Sequence, residues 1–183
     1  MFKDSKILVG ITGSIAAYKV YDLIRLLRRN GAEVRCVVTH AGMHFVNKLT
    51  LETLLNHRIY TDLFDEYADK RAVHVPLADW ADVVVVVPAT ADILAKVSVG
   101  IADELLTSVI LATQANVLFA PAMHSNMWNN PITQDNIKKL TSRGFGLINP
   151  TKGALSDGSK GIGHIASQET IMEAIKKAID KKP

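Results

Sequence analysis

A three-layer, doubly wound α/β fold on a parallel sheet is predicted from three features of the sequence. Short apolar runs alternate with stretches of helical period along the chain. One run, Ala81–Val87, is almost purely β-branched, as suits a central strand buried on both faces. Three runs end in turns rich in Gly, Thr and Ser: Thr12-Gly13-Ser14, Thr39-His40-Ala41-Gly42 and Pro88-Ala89-Thr90-Ala91. Ligand loops sit in that place, after the carboxyl ends of parallel strands.

The elements follow in order. Ile7–Ile11 is the first strand, and after the Thr12-Gly13-Ser14 turn apolar residues recur at helical spacing from Ile15 to about Leu27. Asn30-Gly31 ends that helix, Val34–Val38 is a second strand, and Gly42–Leu55 is a second helical region. Pro88 is expected to stop the Val-rich strand. Helices over Thr90–Val97 and Glu104–Leu111 come next, with Asp103 as the expected N-cap of the second. Asn116–Ala120 is a strand closed by Pro121, Thr133–Arg143 a helix, and Gly144–Ile148 a further strand. Residues 151–166 lack a periodic apolar pattern and read as a long loop, a candidate flap, before a final helix over Ser167–Ile179. The whole belongs to the Rossmann-like and flavodoxin-like class.

At 183 residues the chain suits one domain, 1–183, with its own core. No repeat, linker or low-complexity stretch divides it. The net charge is +3 and the basic residues are scattered on helix faces, which argues against nucleic acid. No apolar run is long enough for a leader or a membrane span. The single cysteine, Cys36, lies within a strand and cannot form an internal disulfide, so a cytoplasmic location is expected. No His, Cys or Asp cluster has ligand spacing, and no metal site is expected.

The turn Thr12–Tyr18 opens a helix, where free N–H groups and the helix dipole favour an anion. It has neither the dinucleotide glycine pattern nor that of the ATP phosphate loop, which leaves a mononucleotide better supported. Five segments occur in one order: Gly10–Lys19, His74–Asp82, Pro88–Asp92, Gly100–Thr107 and Pro121–Trp128. Through them the chain resembles the homo-oligomeric flavin-containing cysteine decarboxylases, and within that family the phosphopantothenoylcysteine decarboxylase branch of coenzyme A biosynthesis more than the lantibiotic branch. The resemblance runs from about Lys6 to Ile175.

The resemblance implies FMN held between subunits of a trimer, which often assembles further into a dodecamer. It implies Gly13, Ser14 and Ile15 near the phosphate or ring, Thr39 and Phe45 at the end of the second strand, Thr90, Ala91 and Asp92 around the ribityl chain and phosphate, and Ala122 along the isoalloxazine. A cysteine-containing small molecule is the implied substrate, bound by residue 124, Met127, Leu155 and Ser156. His74 matches the family's essential histidine, whose near-neutral titration suits a base or an orienting group. The implied chemistry oxidises the substrate thiol to a thioaldehyde, which provides an electron sink for the departing carboxylate. A synthetase fused or separate is a further implied partner.

Two positions depart from the family pattern. His124 stands where the family has an Asn that binds the substrate carboxylate. Asp157, in Leu155-Ser156-Asp157-Gly158, stands where the coenzyme A branch has a proton-donating cysteine. Three outcomes stay open: Asp157 acts as the acid, the reaction stops at the enethiol as in the lantibiotic branch, or the protein binds flavin without turnover. An electron carrier of the flavodoxin type and a flavin prenyltransferase are alternatives from other classes, and His74 with the Met123–Trp128 segment argues against both.

Overall fold

The computed structural model describes residues 1–64, 72–154, 158 and 160–181. Five strands form one parallel sheet: β1 (Lys6–Ile11), β2 (Glu33–Val38), β3 (Val83–Ala89), β4 (Asn116–Pro121) and β5 (Gly146–Leu147). Their order is β2-β1-β3-β4-β5. All four pairings are parallel. The strand order reverses between β1 and β3, and a ligand crevice is expected beyond the carboxyl ends there.

Side-chain alternation explains the valine run. Val83, Val85 and Val87 join Ile7, Val9 and Ile11 in one buried cluster, while Val84 and Val86 join Leu8 and Phe119 in another. Each face of the sheet therefore needs an apolar side chain at every second position, and a strand serving both faces has no polar alternation. Helix α1 (Val20–Arg29) covers the first face with Val20, Leu23, Ile24 and Leu27 at helical spacing. Helix α8 (Gln168–Asp180) covers the same face with Ile171, Met172, Ile175 and Ala178. The second face is covered by α3 (His74–Trp80), α4 (Ala91–Val99), α5 (Leu105–Ala112) and α7 (Pro131–Ser142).

Several boundaries differ from the sequence-based expectation. The first helical region is a 3-10 turn over Ile15–Lys19 that leads into α1. The second is a short 3-10 turn at Gly42–His44 followed by α2 (Lys48–Leu55). Pro88 does not stop β3, which continues to Ala89 through a register shift between Val86 and Ala89; an irregularity of that kind tolerates a residue without an N–H. Glu104, not Asp103, caps α5, in a reciprocal box with Thr107, and Asp103 instead meets Lys96 at 3.1 Å. Helix α3 went unforeseen because its seven residues hold too little apolar period to register.

The stretch 151–166 is not a structureless loop. It contains an antiparallel hairpin, β6 (Thr151–Ala154) and β7 (Lys160–His164). Its strands are short and glycine-rich, so they carry no apolar alternation for a sequence pattern to reveal. Leu155, Ser156 and Asp157, the expected flap residues, lie outside the described residues.

Candidate active site

The loops after β1, β2, β3 and β4 are fastened to one another by side chains from the Thr/Ser-rich turns. Buried Thr12 donates its hydroxyl to the Pro88 carbonyl at 2.7 Å and accepts from the Thr90 N–H at 3.2 Å, which joins the β1 loop to the β3 loop. Thr39 Oγ1 accepts from the Gly42 N–H at 3.0 Å, and the Thr39 N–H donates to Ile11 O at 3.0 Å. Ser14 Oγ donates to Ala122 O at 3.3 Å and accepts from the Ala16 N–H at 3.4 Å. The Ala122 N–H in turn donates to Ala89 O at 3.1 Å.

Two glycines permit this closeness. A Cβ on Gly13 would lie 2.7 Å from Ala41 Cβ, and one on Gly42 would lie 2.6 Å from Ile11 O. The first of these contacts lies between side-chain carbons and the second against backbone, so neither position accepts a methyl group without movement of a loop.

Above this floor lies a cavity of about 360 Å³, lined by Gly13, Ser14, Ile15, Thr90, Ala91, Ala122, His124 and Met127 among others. A second hollow of about 390 Å³ shares Gly13, Thr90, Ala91 and Met127 with it and adds Thr39 and Asp92. The two form one trough across the strand ends. Helix α4 begins in it: Thr90 is the N-cap, its Oγ1 accepting from the Ile93 N–H at 3.3 Å, and the remaining first-turn N–H groups favour an anion.

His124 caps the short helix α6 (Ser125–Trp128), its Nδ1 accepting from the Asn126 N–H at 3.2 Å. A neutral ring held in this way carries its proton on Nε2. Its backbone neighbour Met123 donates to Gly163 O at 3.1 Å, and Ser125 Oγ donates to Ile162 O at 2.7 Å, so β7 is tied directly to the His124 segment.

Charge is unevenly placed. At the Asp92 end of the trough Lys96 meets Asp92, Asp103 and Glu104 at 3.6, 3.1 and 3.9 Å. Burial works against the Lys96 charge, but the hydrogen bond to Asp103 and the nearby carboxylates outweigh it and raise its pKa. Burial raises the Glu104 carboxyl despite the Lys96 ammonium beside it. With Lys96 neutralised by carboxylates, backbone N–H groups are left to meet an anion there. Near the other end, Lys19 Nζ lies 2.9 Å from His164 Nε2, while His164 Nδ1 donates to Ile165 O at 2.9 Å. Burial lowers the Lys19 pKa.

Two expected site residues lie outside the trough in a single chain. Phe45 is 41% exposed and lines neither hollow. His74 heads α3 and lines neither, although its Nδ1 is buried with no hydrogen-bond partner among the described residues. Conversely, Tyr18, Lys19, Met123, Gly163 and His164 line the first hollow, although the sequence assigned none of them a site role. Tyr18 and Lys19 fall within the Gly10–Lys19 segment and Met123 within Pro121–Trp128, which is the signal that points to them; Gly163 and His164 lie in the hairpin, outside all five segments.

The trough suits a flavin mononucleotide. Ile15 and Met127, 59% and 49% exposed, offer apolar contact for a planar ring, Ala122 presents a small side chain, and the α4 N-terminus with Thr39 offers donors to a phosphate. Residues 1–180 match the protein family described as Flavoprotein. The coenzyme A biosynthesis bifunctional protein CoaBC of Haemophilus influenzae is 42% identical over 176 residues, which cover 96% of this chain and 44% of that protein. The chain thus spans less than half the length of this curated relative. Among solved structures, a mutant PPC decarboxylase complexed with pantothenoylaminoethenethiol superposes with a TM-score of 0.86 at 35% identity, covering 96% of this chain and 98% of that one. The FMN-dependent cysteine decarboxylase SpaF superposes with a TM-score of 0.87 at 30% identity, covering 100% and 99%. The chain belongs to the flavoprotein family, among whose members it is similar to cysteine decarboxylases.

Proposed function

We propose that the chain is an FMN-dependent decarboxylase that converts 4′-phosphopantothenoylcysteine to 4′-phosphopantetheine for coenzyme A biosynthesis. The observation that carries this reading is one trough that combines the α4 anion seat, an apolar ring site and the His124 imidazole at its edge. Likeness to the bifunctional coenzyme A protein and to a PPC decarboxylase supports the substrate.

FMN, when bound, supplies the oxidising power that turns the cysteine thiol into a thioaldehyde and so lets the carboxylate leave as CO₂. The protein's own part is to hold and orient. Gly13, Ser14, Thr39, Thr90, Ala91 and Asp92 hold the cofactor's phosphate and chain. Nε2–H of His124 donates to the substrate carboxylate, a role an asparagine amide would also fill. Met127 covers the reacting carbon and excludes water. By the resemblance Leu155, Ser156 and Asp157 contact the substrate, with the Asp157 carboxyl as proton donor.

His74 acts as the base or orienting group in a site completed by a second copy of the chain, since within one chain it lies off the trough. Val99, Ile101 and Leu111 are 60%, 46% and 66% exposed, and apolar side chains of this kind support burial in a trimer or dodecamer. A cytoplasmic location and a synthetase partner complete the reading.

One observation favours a second outcome, an oxidative decarboxylase that releases the enethiol. The only cysteine, Cys36, is fully buried in β2, so no thiol of this chain can serve as the acid of the reductive half. Product analysis by mass spectrometry decides: 4′-phosphopantetheine supports the full reaction, the enethiol supports the oxidative one, and unchanged substrate overturns both.

A further inference from the structure

The parallel ladder between β1 and β3 ends at the Gly10–Val86 pair. Beyond it the side chain of Thr12, only 2% exposed, carries the connection into the loops: its Oγ1 donates to Pro88 O at 2.7 Å and accepts from the Thr90 N–H at 3.2 Å. We infer that Thr12 is a positioning residue for the FMN phosphate, and that it sets the preference of the site for FMN over riboflavin by fixing the Thr90 entry to α4. The inference rests on the α4 phosphate seat of the proposed function and is independent of the decarboxylation step.

Three features carry it. First, the Thr12 hydroxyl has a single proton, and that proton is committed to Pro88 O. Although Thr12 borders the second hollow, it has no proton left for a phosphate and so acts through its neighbours. Secondly, Thr90 is the one residue between β3, which ends at Ala89, and α4, which starts at Ala91. It is extended, with φ −80° and ψ +163°, and holding its N–H fixes the point from which α4 departs. Thr90 Oγ1 then accepts from the Ile93 N–H, while the N–H groups of Ala91 and Asp92 precede any intrahelical acceptor and remain for an anion in the trough. Thirdly, Thr12 cannot shift to follow a displaced β3 loop. The Thr39 N–H donates to the carbonyl of the preceding Ile11 at 3.0 Å, and a Cβ on the following Gly13 would lie 2.7 Å from Ala41 Cβ. Packed in this way against the β2 loop, Thr12 is the fixed reference against which the anion seat is set.

A hydroxyl is required at this place, not merely a β-branched shape. Valine would fill the same volume but leave Pro88 O and the Thr90 N–H without these partners in a buried setting, and the loop would relax to satisfy them. The first-turn N–H groups of α4 would then turn from the phosphate, while Ile15, Ala122 and Met127, which offer the ring its contacts, stay in place. Recognition of the phosphate is thereby separable from recognition of the ring.

The test is competition on the FMN-loaded full chain. Riboflavin is titrated in, and the flavins that stay with the protein are separated and quantified, which gives the FMN-to-riboflavin affinity ratio and the total flavin per chain. The wild type should prefer FMN. Thr12→Val should lower the ratio by about 10-fold or more, the range of charge-assisted hydrogen bonds to a phosphate, with total flavin per chain retained at saturating riboflavin. Thr12→Ser keeps both hydrogen bonds and should keep the ratio. A Thr12→Val ratio equal to that of the wild type overturns the inference. So does a Thr12→Ser variant that loses the preference, and this second variant decides the matter if Thr12→Val does not fold. A wild type that binds both flavins equally removes the α4 phosphate seat, and the inference with it; a wild type that prefers FMN while Thr12→Val still shares the preference leaves the seat standing and removes Thr12 alone.

Discussion

Gly163 should be the glycine whose methylation loosens the hairpin most. Its φ is +136°, and a Cβ there would lie 2.0 Å from the Met123 carbonyl oxygen, well inside any tolerable contact, with the His124 carbonyl carbon at 3.6 Å. The Gly163→Ala change has to push β7 off the Met123–His124 segment. Doing so breaks the Met123 N–H to Gly163 O hydrogen bond, about 0.5–1.5 kcal/mol. The dihedral cost adds about 1–3 kcal/mol. Together the hairpin should lose roughly 2–4 kcal/mol, which corresponds to amide exchange about 30-fold faster or more. Gly158→Ala is the control: Gly158 also has positive φ, +83°, but nothing among the described residues lies within 4 Å of its Cβ position, so it carries the dihedral cost without that clash. Hydrogen exchange read by mass spectrometry over peptides covering residues 151–164 measures both, with substrate affinity as a second readout. Exchange in Gly163→Ala no faster than in Gly158→Ala would refute the clash and the tie between hairpin and His124.

Other changes follow from the same geometry. His124→Ala should weaken the cysteine substrate by about 10- to 100-fold, as KM in steady-state decarboxylation, and leave bound flavin unchanged, because His124 is assigned to substrate and not cofactor. Burial raises the Glu104 carboxyl, so the folded state binds that proton more tightly than the unfolded chain does, and stability falls as pH rises from the ordinary carboxyl range through the raised value. Glu104→Gln removes this loss; its melting temperature relative to wild type should therefore be more favourable at pH 7 than at pH 4, and the reverse trend would contradict the burial argument. Burial also pushes the Cys36 thiol far up. Iodoacetamide should leave Cys36 unlabelled in the native protein and label it in urea, as mass spectrometry would show.

Much of the architecture was legible because it rests on strong local patterns. The valine run could only be a strand buried on both faces, and Thr12-Gly13-Ser14 and Thr90-Ala91-Asp92 announced themselves as turns opening helices. Contacts between distant segments were not legible. Nothing local to Gly161-Ile162-Gly163 shows that β7 lies against Met123, a pairing created by tertiary approach. The capping of α5 by Glu104 turned on a one-residue choice between adjacent acidic residues, decided by the Thr107 hydroxyl. His74 marks a different limit: its motif is local and readable, while its place of action depends on which surfaces come together around it.

The most direct test of the central proposal is anaerobic mixing of the FMN-loaded protein with 4′-phosphopantothenoylcysteine, with flavin absorbance followed in time. The expected record is bleaching followed by return of the oxidised spectrum, with one 4′-phosphopantetheine formed per substrate consumed. Bleaching that persists, with an enethiol product, would place the protein in the oxidative class. A flavin spectrum that never changes, with substrate intact, would contradict the assignment as a cysteine decarboxylase.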